Sequence, residues 1–421
     1  MDVTAGPGVA LSREEEFGRG WRVLVGAVLG IATGATVVVF YTFGIFLNAL
    51  QSAFGWTRAE LSAGLTLFQL ALAAGCPIVG ALVDRSGIRS VLIVGITGTT
   101  IGFVLLATAM NSLVVYLSLM TVTGALAAAC SSIPYTRLIA VWFQRERGLA
   151  LGLALTGTGI AGSIVPFIIS KTVAAHGWRS GYLALAALLL ITMPFILWLL
   201  REATVGRMAS VSSRTVSSRM TLATVIRRGV FWQLGTAVVL QALAVPGLAV
   251  HFVPMLTDAG TSRERAAAIA GLIGLSVVAG RVLVGRLFDW LFAPRVAAVV
   301  LVLTTIGWWP LAEGTPGGSY IAAIAIGFSV GAEIDILSYL TARYFGVAAY
   351  GRVYGVLYGA MLIGSASSSF WVGAAYDHFG SYRPALVAAT VIMAIATSLL
   401  VALPRFEGEQ GESRPGGGLL R

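Results

Sequence analysis

The sequence predicts an all-α membrane protein, with twelve transmembrane helices in two six-helix bundles. Three observations carry this. Of 421 residues, 57% are hydrophobic and 11% charged, with a mean hydropathy of +0.88, more apolar surface than a soluble globular fold needs. Apolar stretches of about 20 residues, each enough to cross the hydrocarbon core, recur along the chain between short polar breaks. The two halves of the chain also repeat each other at a nearly fixed offset. Strands are excluded, because a membrane strand needs only about 9–11 residues and alternates polar with apolar. Each helix, in contrast, satisfies its own backbone groups in lipid.

The spans are predicted at 22–47, 59–83, 90–110, 113–140, 148–173, 180–200, 229–256, 265–288, 295–312, 319–342, 352–375 and 384–403. Helix 1 follows the charged run Arg13-Glu14-Glu15-Glu16 and lacks a short apolar core with a small-residue cleavage site, so it reads as a retained helix. It carries Tyr41, and helix 2 carries Gln69. Cys76 and Cys130, in helices 2 and 4, read as small packing residues and not as metal ligands or a disulfide. Helix 4 also carries Tyr135 and Arg137. Helix 5 places Gly148, Gly152, Gly157, Gly159 and Gly162 ahead of Pro166, a small-residue spacing that lets helices pack closely. Residues 201–228, rich in Ser and Arg, are the one long internal loop and separate helix 6 from helix 7. Helix 7 is broken by Pro246-Gly247 before His251. Arg281 falls in helix 8, Glu333 and Asp335 in helix 10, and Tyr358 in helix 11. The expected domains are a tail at 1–20, a bundle at 21–200, the linker at 201–228, a second bundle at 229–403 and a tail at 404–421.

An even number of spans puts both termini on one side, and Lys and Arg in the loops decide which. Cytoplasmic termini leave 20 of the 28 basic residues inside and six outside, namely Arg58, Lys171, Arg179, Arg263, Arg265 and Arg383. A cell membrane with cytoplasmic termini is expected, and the use of Arg over Lys fits a GC-rich bacterium, hence a bacterial inner membrane. The net charge of +10 reflects this bias and gives no sign of nucleic-acid binding.

Across the linker, Gly80, Leu82 and Asp84 fall on Gly285, Leu287 and Asp289 at an offset of 205, as Arg58 does on Arg263. Gly148, Gly152 and Gly177 fall on Gly351, Gly355 and Gly380 at 203. Six spans per half make both halves run the same way, related by an axis along the membrane normal, and a site between them can open to either side by rocking.

These residues resemble the major facilitator superfamily over nearly the whole chain. The stretch from Gly80 through Leu82, Asp84, Arg85 and Gly87 to Arg89 is similar to that family's loop motif G-x-L-x-D-R-x-G-x-R, in which glycines permit close helix approach while Asp84, Arg85 and Arg89 form a charge latch at the cytoplasmic face. Asp289 repeats it in part. Within the family the chain resembles the monocarboxylate transporter and oxalate/formate antiporter branch. Residues 142–157, from Trp142-Phe143 through Arg145, Arg147, Leu149-Ala150, Gly152 and Ala154 to Gly157, are similar to Y-F-x-K-R-R-x-L-A-x-G-x-A-x-A-G. Phe54-Gly55-Trp56-Thr57-Arg58-Ala59-Glu60 and Gly177-Trp178-Arg179 extend the likeness. The chain departs from it in two places. The opening acidic, Gly- and Trp-rich motif is reduced to Arg19-Gly20-Trp21, and neither helix 1 nor helix 11 holds the branch's functional lysine, Lys171 being the sole lysine. Both departures weigh against a second cation at the substrate and against a dicarboxylate.

A charge inside a bilayer costs at least about 2.5–3.5 kcal/mol and is expected only where it faces a cavity or a partner. Arg281 lies about 15 residues, roughly 22 Å, from the outer end of its helix. Its planar fork matches a carboxylate and keeps its proton, which suits an anion receptor, and the resemblance implies that it is the substrate's carboxylate partner. The alternative is snorkelling beside Arg286. Glu333 and Asp335 lie at a similar depth but about 200° apart around their helix. Asp335 shares a face with Gly331, Ser338 and Tyr339 and is the better cavity candidate. Burial raises a carboxylate's pKa and a neighbouring arginine lowers it, so a carboxylate that gains and loses that neighbour can carry a proton; a permanent structural bridge is the alternative. Arg137 is a gate or interface residue or a second anion contact. His251 either lines the pathway or sits at the outer interface. Tyr41, Gln69, Tyr135 and Tyr358 are polar tips able to bind a hydroxy or oxo acid.

The expected function is secondary active transport of small organic anions, monocarboxylates foremost, by alternating access and coupled to protons or to a counter-anion. Drug or other amphipathic-compound efflux is the alternative, though helix 5 lacks the G-P-x-x-G-G ending of drug/proton antiporters. A membrane nutrient sensor that binds without transport is a third reading. No nucleotide-binding loop or His/Cys metal cluster points to an enzyme, a cofactor or a metal.

Overall fold

The computed structural model describes residues 13–201 and 222–406; the linker between them and the expected tails before 13 and after 406 lie outside the described residues. Helix 1 runs through Arg13–Thr33 and Ala35–Phe54 with a break at Gly34. Helix 2 is Arg58–Ser86, helix 3 Ile88–Thr108, and helix 4 Leu113–Ala127 continued through a 3₁₀ turn into Ser132–Trp142. A nearly unbroken helical run then spans 147–199. At 1.5 Å per residue it would be about 80 Å long, far more than a hydrocarbon core of about 30 Å. Gly177, at φ 80°, breaks it into helices 5 and 6 without a loop. Helix 7 is Gly229–Val250 and Phe252–Asp258, and helices 8 to 12 are Arg263–Trp290, Ala293–Ala312, Gly318–Phe345, Tyr350–Phe379 and Arg383–Val401. Twelve spans among the described residues match the expected number.

Local chemistry sets the outer turns. Gly55, at φ 72°, ends helix 1, and Thr57 and Glu60 form a reciprocal capping box that starts helix 2. The Phe54 and Trp56 rings stack at 4.4 Å, and Trp178, just past Gly177, packs 5.4 Å from Phe54. The two stretches that carry part of the family likeness thus meet in one aromatic cluster.

The ends of the spans that face the linker form one surface, called here the linker face. The bundles meet there along two seams, helix 2 with helix 11 and helix 5 with helix 8. A Cβ on Gly80 would collide with the Gly351 carbonyl, and one on Gly148 with the Gly285 carbonyl. One on Gly152 would strike the Arg281 carbonyl, and one on Gly355 that of Cys76. The repeat seen in the sequence is therefore cross-paired: each half lends its second helix to the other half's fifth. Toward the opposite face the pattern stops, for Gly64 packs on Tyr116 and Gly162 faces Tyr41, both inside the N-terminal bundle. Among the described glycines, tight inter-bundle backbone contact lies in the linker-side part of the seams.

Candidate functional site

Arg281 sits 18 residues into helix 8, about 27 Å from its outer end and about 14 Å from its linker end. It is 4% exposed, and its Nη1 lies 3.4 Å from Oδ2 of Asp335, which is 1% exposed. Glu333 is buried too and within electrostatic reach of Arg281. The guanidinium turns toward Asp335 of helix 10, whereas the snorkelling alternative has it beside Arg286. Arg281 Nε, Asp335 Oδ1 and Glu333 Oε1 are buried without a hydrogen-bond partner among the described residues. Such orphans are rare in protein interiors and mark a place where a ligand or water belongs.

Around this cluster the structure brings together Tyr41 and Tyr358. Tyr41, from helix 1 of the other bundle, is 42% exposed and within electrostatic reach of Arg281. Tyr358 is buried and within reach of Glu333. Its ring continues a stack, Tyr350 on Tyr354 at 5.2 Å and Tyr354 on Tyr358 at 5.5 Å, built by i, i+4 spacing on helix 11. The Tyr354 hydroxyl lies 3.3 Å from Ser132 of helix 4 and 3.3 Å from Ser338 of helix 10, joining the two bundles beneath the cluster.

Other expected residues lie elsewhere. Tyr135 is 1% exposed and its ring packs on Gly30 of helix 1, inside the N-terminal bundle. His251 is at the outer end of helix 7, where its Nε2 is 3.1 Å from the Ser369 carbonyl and its Nδ1 3.4 Å from the Tyr382 hydroxyl. Neither partner, Ser369 on helix 11 or Tyr382 ahead of helix 12, belongs to the Arg281 cluster. Gln69 is half-buried on helix 2, with no hydrogen bond to the cluster among the described residues. Lys171 lies over the Phe167 ring at 4.4 Å near the outer end of helix 5, remote in level from Arg281.

The residues expected at the gate are sorted differently from the motif. Asp84, with a side chain 1% exposed, pairs with Arg137 at 2.9 Å and Arg352 at 3.4 Å, while Arg85 and Arg89 are exposed and without an ion pair among the described residues. Helix 2 ends at Ser86 and Gly87 turns the chain at φ 81°, which leaves those two arginines on the surface. The latch thus draws its cations from helices 4 and 11. Arg137 is engaged by Asp84 near the linker end of helix 4. Asp289 accepts from the N–H groups of Gly148 and Leu149 at 2.7 and 2.9 Å, and Glu146 pairs with Arg286.

One residue the sequence reading used only as part of the charged run ahead of helix 1 is structural. Glu16 is 3% exposed and accepts hydrogen bonds from the N–H groups of Gln144, Arg145 and Glu146 at 3.1 to 3.3 Å. The signal was present in the sequence, since Glu16, Gly20, Val23 and Ala27 recur at helical spacing and form one buried stripe. Among the described residues no group of three or more His, Cys, Asp or Glu is placed to hold a metal ion.

Comparison with known proteins fits this geometry. The chain is 27% identical over 398 residues to human monocarboxylate transporter 11, covering 92% of this chain and 83% of that one. It is 26% identical over 408 residues to the gallate transporter of Pseudomonas putida, covering 86% and 89%. The crystal structure of the transporter FucP in the outward conformation superposes with a TM-score of 0.71 at 15% identity, covering 90% of this chain and 97% of that one. The Major Facilitator Superfamily model matches residues 29–368, and with twelve helices in two repeated bundles around a buried charge cluster, the chain belongs to that superfamily.

Proposed function

We propose that the protein is a proton-coupled transporter of small organic anions, monocarboxylates foremost, that works by alternating access in a cell membrane with the linker face toward the cytoplasm. The observation that carries this reading is the incomplete ion pair Arg281–Asp335, with unmatched polar atoms on both partners and a second carboxylate, Glu333, beside it. The names of the relatives, two of them monocarboxylate transporters and one a gallate transporter, support the substrate class. The excess of basic residues on the linker face supports the orientation.

The chemistry follows from charge balance. With Asp335 ionised and Glu333 protonated, the empty site is neutral. A substrate carboxylate that takes the guanidinium, one oxygen on Nε and one on an Nη, adds a negative charge to a low-dielectric cavity. A proton on Asp335 restores neutrality and frees the arginine fork for the substrate. The loaded unit is then neutral, and the bundles can rock without carrying net charge across the membrane. Tyr41 and Tyr358 are placed to donate to a hydroxy or oxo group on the acid.

The test is uptake of labelled lactate, pyruvate, formate, oxalate and gallate into proteoliposomes, with and without an inward proton gradient, in the wild type and in Arg281→Ala. Gradient-stimulated flux of an acid that disappears in the variant supports the reading. Equal flux in the variant removes Arg281 as the anchor, and movement of cationic amphipaths alone would favour efflux.

A further inference from the structure

About two turns toward the linker face from Tyr358, the stack on helix 11 ends at Tyr350, which is fully buried. Its hydroxyl has no hydrogen-bond partner among the described residues. Thr136 of helix 4 and Ser338 of helix 10 are within its reach, but their own protons are spent elsewhere. Thr136 donates to the Ser132 and Ile133 carbonyls at 2.9 and 3.3 Å, and Ser338 donates to the Tyr354 hydroxyl at 3.3 Å. The Tyr350 O–H is left to donate, in an interior where unpaired polar groups are rare.

Arg147, the first residue of helix 5, approaches this hydroxyl from the N-terminal half and lies within electrostatic reach of it. Its Nε donates to the Phe143 carbonyl at 3.1 Å, which leaves both Nη groups without a hydrogen bond and the guanidinium without an ion pair among the described residues. Arg137 is also within electrostatic reach of Tyr350. Apart from the exposed Arg343, the charged groups around this point are Arg137, Arg147 and Arg352 against Asp84 and Asp289, a balance of +1. Both carboxylates are committed, Asp84 to Arg137 and Arg352, and Asp289 to the N–H groups of Gly148 and Leu149. Glu146 and Arg286 neutralise each other.

We infer that the Tyr350 hydroxyl and the Arg147 guanidinium hold one small monovalent anion, chloride or a carboxylate, between the two bundles on the linker side of the Arg281 cluster. The unspent groups are all donors, and the excess of a single positive charge sets the ligand's charge at −1. The two residues belong to opposite bundles, so the site is whole only while the linker face is closed. An anion there binds the linker-closed state in preference to the open one and shifts the equilibrium between them by that difference in affinity. The site is therefore a brake on opening, separate from the Arg281 anchor.

The test is thermal unfolding of the full chain in detergent at constant ionic strength, with the bulky MES anion replaced stepwise by chloride. Chloride should raise Tm along a saturable curve in the wild type. Tyr350→Phe removes only the hydroxyl, so it should keep the Tm seen in MES and lose the rise, as should a folded Arg147→Gln. Lactate titrated into Arg281→Ala, which lacks the other anchor, identifies the source: a rise that Tyr350→Phe abolishes assigns the site to carboxylates too, and no rise beside a positive chloride curve assigns it to the inorganic anion. Alkylation of Ser132→Cys from the linker side should be several-fold slower in chloride than in MES. The same chloride rise in Tyr350→Phe as in the wild type, no rise in folded, monodisperse wild type, or equal alkylation in the two salts overturns the inference. No flux is measured, so its failure leaves the transport reading standing.

Discussion

Asp84 and Asp289, 205 residues apart in the sequence, hold the first turns of each other's opposite bundle. Asp84 accepts from the N–H groups of Gly351 and Arg352 at 3.2 and 2.9 Å, and Asp289 from those of Gly148 and Leu149 at 2.7 and 2.9 Å. Each carboxylate also faces the positive end of a helix dipole. The difference between them lies in Arg137 and Arg352, which pair with Asp84.

That difference predicts unequal damage. Asp84→Asn leaves the mostly buried Arg137 without its counter-charge, a change that typically costs about 3–5 kcal/mol for a buried pair. Asp289→Asn keeps an acceptor oxygen and should cost closer to about 1–2 kcal/mol, the gap between charged and neutral hydrogen bonds. Thermal unfolding in one detergent should give a clearly larger drop in Tm for Asp84→Asn. Equal drops would mean that the ion pair with Arg137 adds nothing.

At the proposed anion site, Arg281→Lys keeps the charge and loses the fork. Half-saturation for the preferred acid should rise by about 10-fold or more, roughly the weight of one charge-assisted hydrogen bond. Concentration dependence of initial uptake rates checks this. A lysine variant with wild-type affinity would show that the arginine serves only as a point charge.

The two carboxylates of helix 10 should separate by assay. Asp335→Asn is expected to abolish stimulation by a proton gradient while exchange of labelled for unlabelled acid continues, since a permanently neutral side chain fixes the site in its loaded charge state. Glu333→Gln should leave stimulation in place. Uptake against exchange, measured on the same vesicles, decides the matter, and the reverse outcome moves the proton to Glu333. On the proposed coupling, acidifying the outer compartment protonates the carboxylate and should raise uptake, and alkalinising it should lower uptake.

At the seams, Gly351→Ala places a methyl into the Gly80 carbonyl and Gly148→Ala places one into the Gly285 carbonyl. Neither neighbour can yield, because both are helix backbone. Both variants should hold the linker face open and reduce transport strongly, while Gly44→Ala, whose added carbon meets nothing within 4 Å, should transport normally. Alkylation of a cysteine engineered at Ser132, buried beneath the charge cluster, reads the shift as faster modification from the linker side. Unchanged alkylation in both seam variants would argue that the seams are not the gate.

Much of the fold was legible in the sequence, and for a physical reason. A bilayer makes each span a long apolar run and makes every internal charge costly, so the spans, Arg281, Glu333 and Asp335 stand out without any contact information. What was not legible depends on which residues meet. The motif offered Arg85 and Arg89 as partners for Asp84, whereas Arg137 and Arg352 are supplied by tertiary packing across as many as 268 positions. Tyr135 and His251 had the right chemistry, but a single sequence does not say whether a tyrosine on helix 4 faces the cavity or the Gly30 notch. The merger of helices 5 and 6 at Gly177 was hidden because a loopless turn requires only one residue at positive φ.

Glu16 has a mechanical meaning. A helix that grips the loop at 144–146 through three backbone N–H groups turns that loop from a compliant tether into part of a stiff frame. Glu146, which pairs with Arg286, and the start of helix 5, which donates to Asp289, belong to the same frame, so Glu16 is tied through it to both contacts with the C-terminal half. Stiffness is concentrated within each half and compliance in the glycine seams, much as in a hinge with rigid leaves. Softening a leaf at Glu16 would blur the coordination of the two seams even with every seam residue intact.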